Sequence, residues 1–176
     1  LPVASITTLR LALNEIAVKM GEEDILFLYI TSHGRRGRIS VRIGGIKLRD
    51  LRAGTLRRIL DQAGIKNRVL VISACYSGSF IEPLRDDNTL IMTASAADLT
   101  SFGCGHDGTF TYFGNALIGI AMEKEFSMAR AFEIAVRSIE KREKKEGLGP
   151  SKPQIRVGLA IGPVLQRIEK HLRTHR

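Results

Sequence analysis

Hydrophobic residues follow two spacings along this chain. Leu9, Leu13 and Ile16 recur at helical intervals, so residues 5–20 read as an amphipathic helix with Ser5 as N-cap and Gly21 as its stop. Residues 24–32 then form a nearly continuous apolar run, the pattern of a strand buried on both faces of a parallel sheet. Two more runs of this kind cover 68–74 and 89–94. Between them, 38–43 and 46–48 read as short strands around a Gly44-Gly45 turn, forming a surface hairpin. Leu51, Leu56, Ile59, Leu60 and Ala63 mark a helix that ends at Gly64, with Gly54 as a point of interruption.

Residues 78–84 suggest a short helix, and 95–108, rich in Ser, Asp and Gly, a loop. Helices follow over 109–122 and 127–146, the second with Met128, Phe132, Ala135 and Ile139 on one face. A Gly- and Pro-marked loop over 147–153 leads to a short strand at 154–157 and a final helix after Pro163. No internal repeat is visible. Strands alternating with helices predict an α/β fold with a largely parallel sheet and helices on both faces. In such sheets, sites form at the carboxyl ends of the strands.

A chain of 176 residues with 44% apolar content is long enough for one core, and no linker divides it, so a single domain over 1–176 is expected. No apolar run approaches the ~20 residues of a membrane-spanning helix. The opening residues lack the basic flank and apolar stretch of a signal peptide, and no initiator Met is present, so the true N-terminus is expected to be missing or processed away. Two cysteines, Cys75 and Cys104, are too few for a disulfide scaffold, and without a Cys-x-x-Cys they do not suggest structural zinc. The net charge of +9 raises the question of nucleic acid. Its placement argues against it. The basic groups of 141–145 alternate with Glu140, Glu143 and Glu146 as on a solvated helix face, and aromatic side chains are not interleaved with the basic ones.

Two of the apolar runs end in a reactive side chain, His33-Gly34 after the first and Cys75 after the second. If the strands are neighbours, the two emerge on one rim. A thiol becomes an acyl-transfer nucleophile when an imidazole takes its proton. Gly34, without a Cβ, lets a backbone N–H approach a substrate carbonyl, and with the Cys75 N–H it could form an oxyanion hole. Gly78 would let the chain turn sharply into the next helix. The plainer readings stay open here: Cys75 as an inert buried thiol, and His33 as a partner for a loop carbonyl.

The blocks Tyr29-Ile-Thr-Ser-His33-Gly34, Ser73-Ala-Cys75-Tyr-Ser-Gly78 and the run from Thr93 to Cys104 resemble the legumain (asparaginyl endopeptidase) family, most closely its bacterial members. Residues 109–114 and Ser151-Lys-Pro-Gln154 add to the likeness, which covers nearly the whole chain. Caspases and gingipains share the architecture, with a His-Gly upstream of an Ala-Cys by an interval similar to the 42 residues found here. The resemblance implies a caspase-like three-layer α/β/α fold and a cysteine endopeptidase acting on a peptide or protein through a thioester. His33 would be base and then acid, Cys75 the nucleophile, and Gly34 with Cys75 the oxyanion hole. No metal or cofactor is implied. The competing reading is a non-catalytic caspase-like module that binds a peptide or protein through the same rim.

Several positions depart from the family pattern. Tyr76 stands where legumains carry an acid after the catalytic Cys, and Asn115 matches another pocket acid. Thr100 and Ser101 fall where the legumain pocket has paired serines. Tyr76, Thr100, Ser101 and Asn115 are therefore the candidate substrate-binding residues, and specificity for asparagine does not follow. Ser32 replaces the Asp that precedes the family's catalytic His, so no ligase activity is expected. The family's first strand is missing from this chain, which predicts an unpaired sheet edge and an incomplete pocket. Bacterial relatives often carry an upstream membrane segment, so the likeness is compatible with a tethered or periplasmic protein. It is equally compatible with a homo-oligomer.

Secondary candidates have bland counterparts. Cys104 and His106 could form a second dyad or metal site, or be a loop thiol and its neighbour. Asp98 and Asp107 could be pocket acids or loop caps. Arg35, Arg36 and Arg38 could line the path of an acidic substrate or simply decorate an exposed hairpin. Arg167, Lys170, Arg173 and Arg176 read as a solvated helix end.

Overall fold

The computed structural model describes residues 3–43, 46–103 and 110–175. Helix α1 spans Ile6–Lys19, and the Ser5 hydroxyl accepts the Thr8 N–H at 3.0 Å, the expected N-cap. The buried stripe of α1 differs from the expected one. Leu13 is buried and Ile6, Leu9, Ala17 and Met20 pack beside it, whereas Ile16 is exposed. Steps of three and four through 6, 9, 13, 17 and 20 stay on one side of a helix, and Ile16, seven residues after Leu9, sits at the margin of that side.

Strand β1 (Ile25–Thr31) leads into four two-residue strands: β2 (Gly34–Arg35), β3 (Arg38–Ile39), β4 (Arg42–Ile43) and β5 (Ile46–Lys47). After β6 (Leu51–Arg52) comes helix α2 (Ala53–Gln62). The hairpin expected around Gly44-Gly45 is present as β4 and β5, although that turn itself lies outside the described residues. Its first strand breaks at Ser40 and Val41, because β3 joins an antiparallel sheet β2-β3-β6 instead. Leu51 accordingly belongs to a strand, not to the helix. Gly54 does not interrupt α2; it falls in the first turn, where N–H groups have no intrahelical partner to lose.

Strand β7 (Asn67–Ser73), a 3-10 turn at Ser77–Phe80, helix α3 (Ile81–Leu84) and strand β8 (Thr89–Thr93) follow. Helix α4 (Tyr112–Gly114) continues through a π-helical stretch, Asn115–Ala121, into α5 (Met122–Lys124). Helix α6 (Met128–Lys145), strand β9 (Gln154–Val157) and helix α7 (Ile161–Thr174) complete the described structure.

The main sheet has the order β1-β7-β8-β9, with β1, β7 and β8 parallel and β9 antiparallel. Alternate residues of its strands feed two cores. Leu26, Leu70, Ile72 and Ile91 meet Leu13 of α1, Leu56 and Leu60 of α2 and Leu84 of α3. Val69, Val71, Leu90 and Met92 meet Phe113 and Leu117 of the 112–124 helix, Phe132 and Ile139 of α6 and Ile161 of α7. This is a three-layer α/β/α arrangement. Strand β1 lies at the end of the sheet and pairs with β7 alone among the described residues.

Buried polar groups tie elements to the sheet. Arg68, at 6% exposure, donates to the Ile65 carbonyl at 2.6 Å and pairs with Asp61 of α2 at 2.9 Å. Burial pushes the Asp61 carboxyl up, but hydrogen bonds from Arg57 and Arg68 and their charge outweigh it and hold it below the usual carboxylate range. Glu143 is buried, contrary to the solvated helix face expected there, because it accepts the Ser151 N–H at 3.1 Å. Among the described residues no helix is long and apolar enough to cross a membrane.

Candidate active site

The parallel pairing of β1 and β7 is in register from Ile25↔Asn67 to Thr31↔Ser73. His33 and Cys75 each lie two residues past the last pair, so the sheet delivers them to one rim. Beyond the last pair, the Ser32 N–H donates to the Ser73 carbonyl at 3.4 Å. Gly34 then passes directly against the Cys75 turn. A Cβ there would come within 2.2 Å of the Cys75 carbonyl oxygen and 2.9 Å of the Ala74 Cβ, so only glycine fits.

The direction of the Gly34 N–H follows from its ladder position. Ser40 N–H donates to the His33 carbonyl at 2.9 Å, which makes that pair the hydrogen-bonded one and Gly34↔Ile39 the non-bonded one. The Gly34 N–H therefore points away from β3. The Cys75 N–H likewise has no hydrogen-bond acceptor among the described residues.

The turn carrying Cys75 is held by its neighbours. Tyr76 adopts a left-handed backbone, φ 58° and ψ 20°, which costs a residue with a Cβ about 1–2 kcal/mol. Its N–H donates to the Leu99 carbonyl at 2.8 Å, and its carbonyl accepts the Ser79 N–H at 3.1 Å. Ser77 and Ser95, both fully buried, exchange bonds: each backbone N–H donates to the other's hydroxyl, at 3.2 and 3.1 Å. The Ser95 hydroxyl also donates to the Ala74 carbonyl at 3.2 Å. Gly78 serves a purpose other than a sharp turn, since a Cβ there would sit 2.6 Å from the Ala97 nitrogen and from the Gln154 Oε1. Close packing on the loop after β8 requires it.

Cys75 is half-buried and its Sγ meets Ser101. The thiol donates to the Ser101 carbonyl at 3.4 Å and accepts from the Ser101 N–H at 3.4 Å and hydroxyl at 3.8 Å. His33 is exposed, and its imidazole makes no hydrogen bond among the described residues. The structure thus shares the rim between His33 and Cys75 but directs the thiol to Ser101, where an imidazole partner was expected.

The remaining candidates are spread around this centre. Tyr76 is half-buried beside Cys75, and Thr100 is exposed next to Ser101. Asn115 opens the π-helical stretch, and its Oδ1 lies 3.1 Å from where a Gly119 Cβ would be. That helix is anchored at the rim: the Thr111 hydroxyl caps Gly114 N–H at 3.0 Å and bonds the Ser73 hydroxyl at 2.6 Å. Asp98 is exposed. Cys104, His106, Asp107 and Arg176 lie outside the described residues. Two grooves lie elsewhere, one of about 520 Å³ between α1, β1 and the chain around Ser40, and one of about 620 Å³ between α6 and α7.

Sequence reading missed two parts of this site. One is the left-handed Tyr76, which no residue type signals. The other is Tyr112, whose ring packs on Phe102 and under the Arg142 guanidinium, 3.5 Å from its centroid. Its N–H donates to the Phe102 carbonyl at 3.2 Å and its hydroxyl bonds Glu146, so the segment that touches Cys75 is fastened to α6.

The peptidase C13 family matches the chain over residues 8–163. The chain belongs to this family. Within it, legumain from Mus musculus is 32% identical over 100 residues, covering 56% of this chain and 23% of that protein. Legumain from Rattus norvegicus is 31% identical over 100 residues, with the same coverage of 56% and 23%. The chain thus aligns with less than a quarter of the length of these relatives. Caspase-1 from Spodoptera frugiperda has a similar structure, with a TM-score of 0.62 over 89% of this chain and 69% of that one, at 14% identity. That likeness concerns the fold, a caspase-like α/β/α arrangement with a mostly parallel sheet. This C13 chain is therefore a legumain-like member of a cysteine peptidase family.

Proposed function

We propose that this chain is a cysteine endopeptidase in which Cys75 is the nucleophile and His33 the general base and acid, the described elements acting as one peptidase domain. The observation that carries the reading is the in-register β1–β7 pairing, which brings both residues to one rim with Gly34 pressed on the Cys75 carbonyl. His33 takes the Cys75 thiol proton and Sγ attacks the scissile carbonyl carbon. The Gly34 N–H, which points away from β3, and the Cys75 N–H, which has no acceptor among the described residues, hold the oxyanion. His33 then gives the proton to the leaving amine as the C–N bond breaks, leaving a thioester. Water, deprotonated by His33, attacks that thioester and releases the acid and the thiol. Tyr76, Thr100, Ser101 and Asn115 line the substrate path, with Ser101 turning from the thiol to the substrate when it binds.

A second reading has an observation of its own. Because the Cys75 thiol is bonded to Ser101 and the His33 ring to nothing among the described residues, the same rim also suits a module that holds a peptide without cutting it. Steady-state hydrolysis of a fluorogenic peptide library separates the two. Cys75→Ala is expected to abolish turnover and His33→Ala to lower kcat by about 10²–10⁴-fold. Turnover unchanged in either variant removes the dyad, and no turnover from the wild-type chain favours the binding module.

A further inference from the structure

Most of the net charge of the chain falls in one stretch of sequence that begins at the rim. From His33 to Arg58 there are eight arginines and one lysine against one carboxylate, Asp50, which gives eight of the net nine positive charges. The small sheet β2-β3-β6 arranges part of this charge in a row. Its register is Gly34↔Ile39 and Ile39↔Leu51 on one face, Arg35↔Arg38 and Arg38↔Arg52 on the other. Ile39 and Leu51 are buried in the core, so the opposite face presents Arg35, Arg38 and Arg52 side by side to solvent.

Like charges directly opposite one another on neighbouring strands oppose sheet formation. Elsewhere in the molecule arginines find carboxylates, as Arg130 does with Glu169 at 2.6 Å and Arg173 with Glu125 at 2.6 Å. Arg35, Arg38 and Arg52 have no such partner among the described residues, and Asp50 forms no ion pair there. The row is also fastened to the Cys75 turn. Gly37, at the tip of the β2–β3 hairpin, donates its N–H to the Ser79 hydroxyl at 2.8 Å, and its carbonyl accepts the Ala53 N–H at 3.1 Å.

We infer that the Arg35, Arg38 and Arg52 row is a docking surface for an acidic peptide segment that flanks the bond held at Cys75. The inference rests on the peptidase reading for what Cys75 does, and on the charge row alone for what binds. Three guanidinium groups in a row match successive carboxylates of an extended chain. Their carboxylates would supply the counter-charge that the fold withholds. Nucleic acid fits less well, since the segment from Gly34 to Arg58 has no aromatic side chain on which a base could stack.

The test uses the Cys75→Ala chain and fluorescent peptides that differ only in carrying Asp and Glu, or the matching Asn and Gln, beside the scissile position. Anisotropy is expected to show the acidic peptide binding about tenfold tighter at low ionic strength, with the advantage lost at high salt. The combined Arg35→Gln, Arg38→Gln and Arg52→Gln change is expected to bring the two peptides to parity while raising the melting temperature, because the like-charge row is gone. Arg38→Gln alone, which removes the central member, is expected to do both to a smaller degree. Equal affinity for both peptides, a preference that survives the triple change, or a single-stranded oligonucleotide bound more tightly than the acidic peptide would overturn the inference. Wild-type turnover of the same peptides keeps the two claims apart. Preferential binding without turnover removes the peptidase reading and leaves the docking surface, and turnover without preference does the reverse.

Discussion

Gly34 has no room for any other side chain. Alanine would place a carbon 2.2 Å from the Cys75 carbonyl oxygen, and backbone rather than a flexible side chain stands in its way. Gly34→Ala is expected to cost about 1–3 kcal/mol of unfolding free energy by overpacking, read from urea titration, and to lower kcat by shifting the oxyanion donors. A chain with unaltered stability and kcat would show that the approach is not tight. Much of the residue scale was legible in sequence. Cys75, His33 and Gly34 each close or follow an apolar run, whereas the contact of Ser101 with the thiol is not something its residue type reports. Tyr76 was legible only as a departure from a family, since its left-handed backbone is imposed by bonds to Leu99 and Ser79, which are distant or local in ways no residue type reports.

At the scale of elements, residues 101–103 link the Cys75 thiol to Tyr112. Phe102 packs on Tyr112, and Gly103, at φ +87°, lies so close that a Cβ would be 2.6 Å from the Tyr112 ring. Arg142 and Glu146 of the α6 end hold that ring in turn. Tyr112→Ala is expected to free Ser101 from the thiol and to speed alkylation of Cys75 several-fold, as followed by intact mass; an unchanged rate would show that the segment is held by something else. The strands of the main sheet were legible because unbroken apolar runs have few other fates in an α/β chain. The β2-β3-β6 sheet was not, because two-residue strands carry no periodicity and their pairing is decided by burial of Ile39 and Leu51. The stripe of α1 shifted for a related reason: Leu9 and Leu13 fit two faces, and the sheet selected the one with Ala17 and Met20.

Across the whole molecule, one contribution to stability in acid comes from the junction of α2, β7 and the chain before β8. Asp61 receives Arg57 at 2.6 Å and Arg68 at 2.9 Å, while Arg57 also reaches Asp86 at 3.3 Å. Since the folded chain holds the Asp61 carboxyl below its ordinary value of 3.8, its contribution is fully present above that value. It is lost as pH falls through the lower, folded value. Urea midpoints taken between about pH 5 and about pH 3 are therefore expected to fall more steeply for the wild type than for Asp61→Asn. Parallel slopes would assign acid sensitivity to other carboxylates. The account as a whole turns on the chemistry of Cys75, and trapping its acyl intermediate tests that most directly. Acid-quenched reactions of the wild-type chain with an activated peptide ester are expected to show, by intact mass and peptide mapping, one acyl group on Cys75, absent in Cys75→Ala and formed far more slowly in His33→Ala. An acyl group on another residue, or formation at an equal rate without His33, would contradict it.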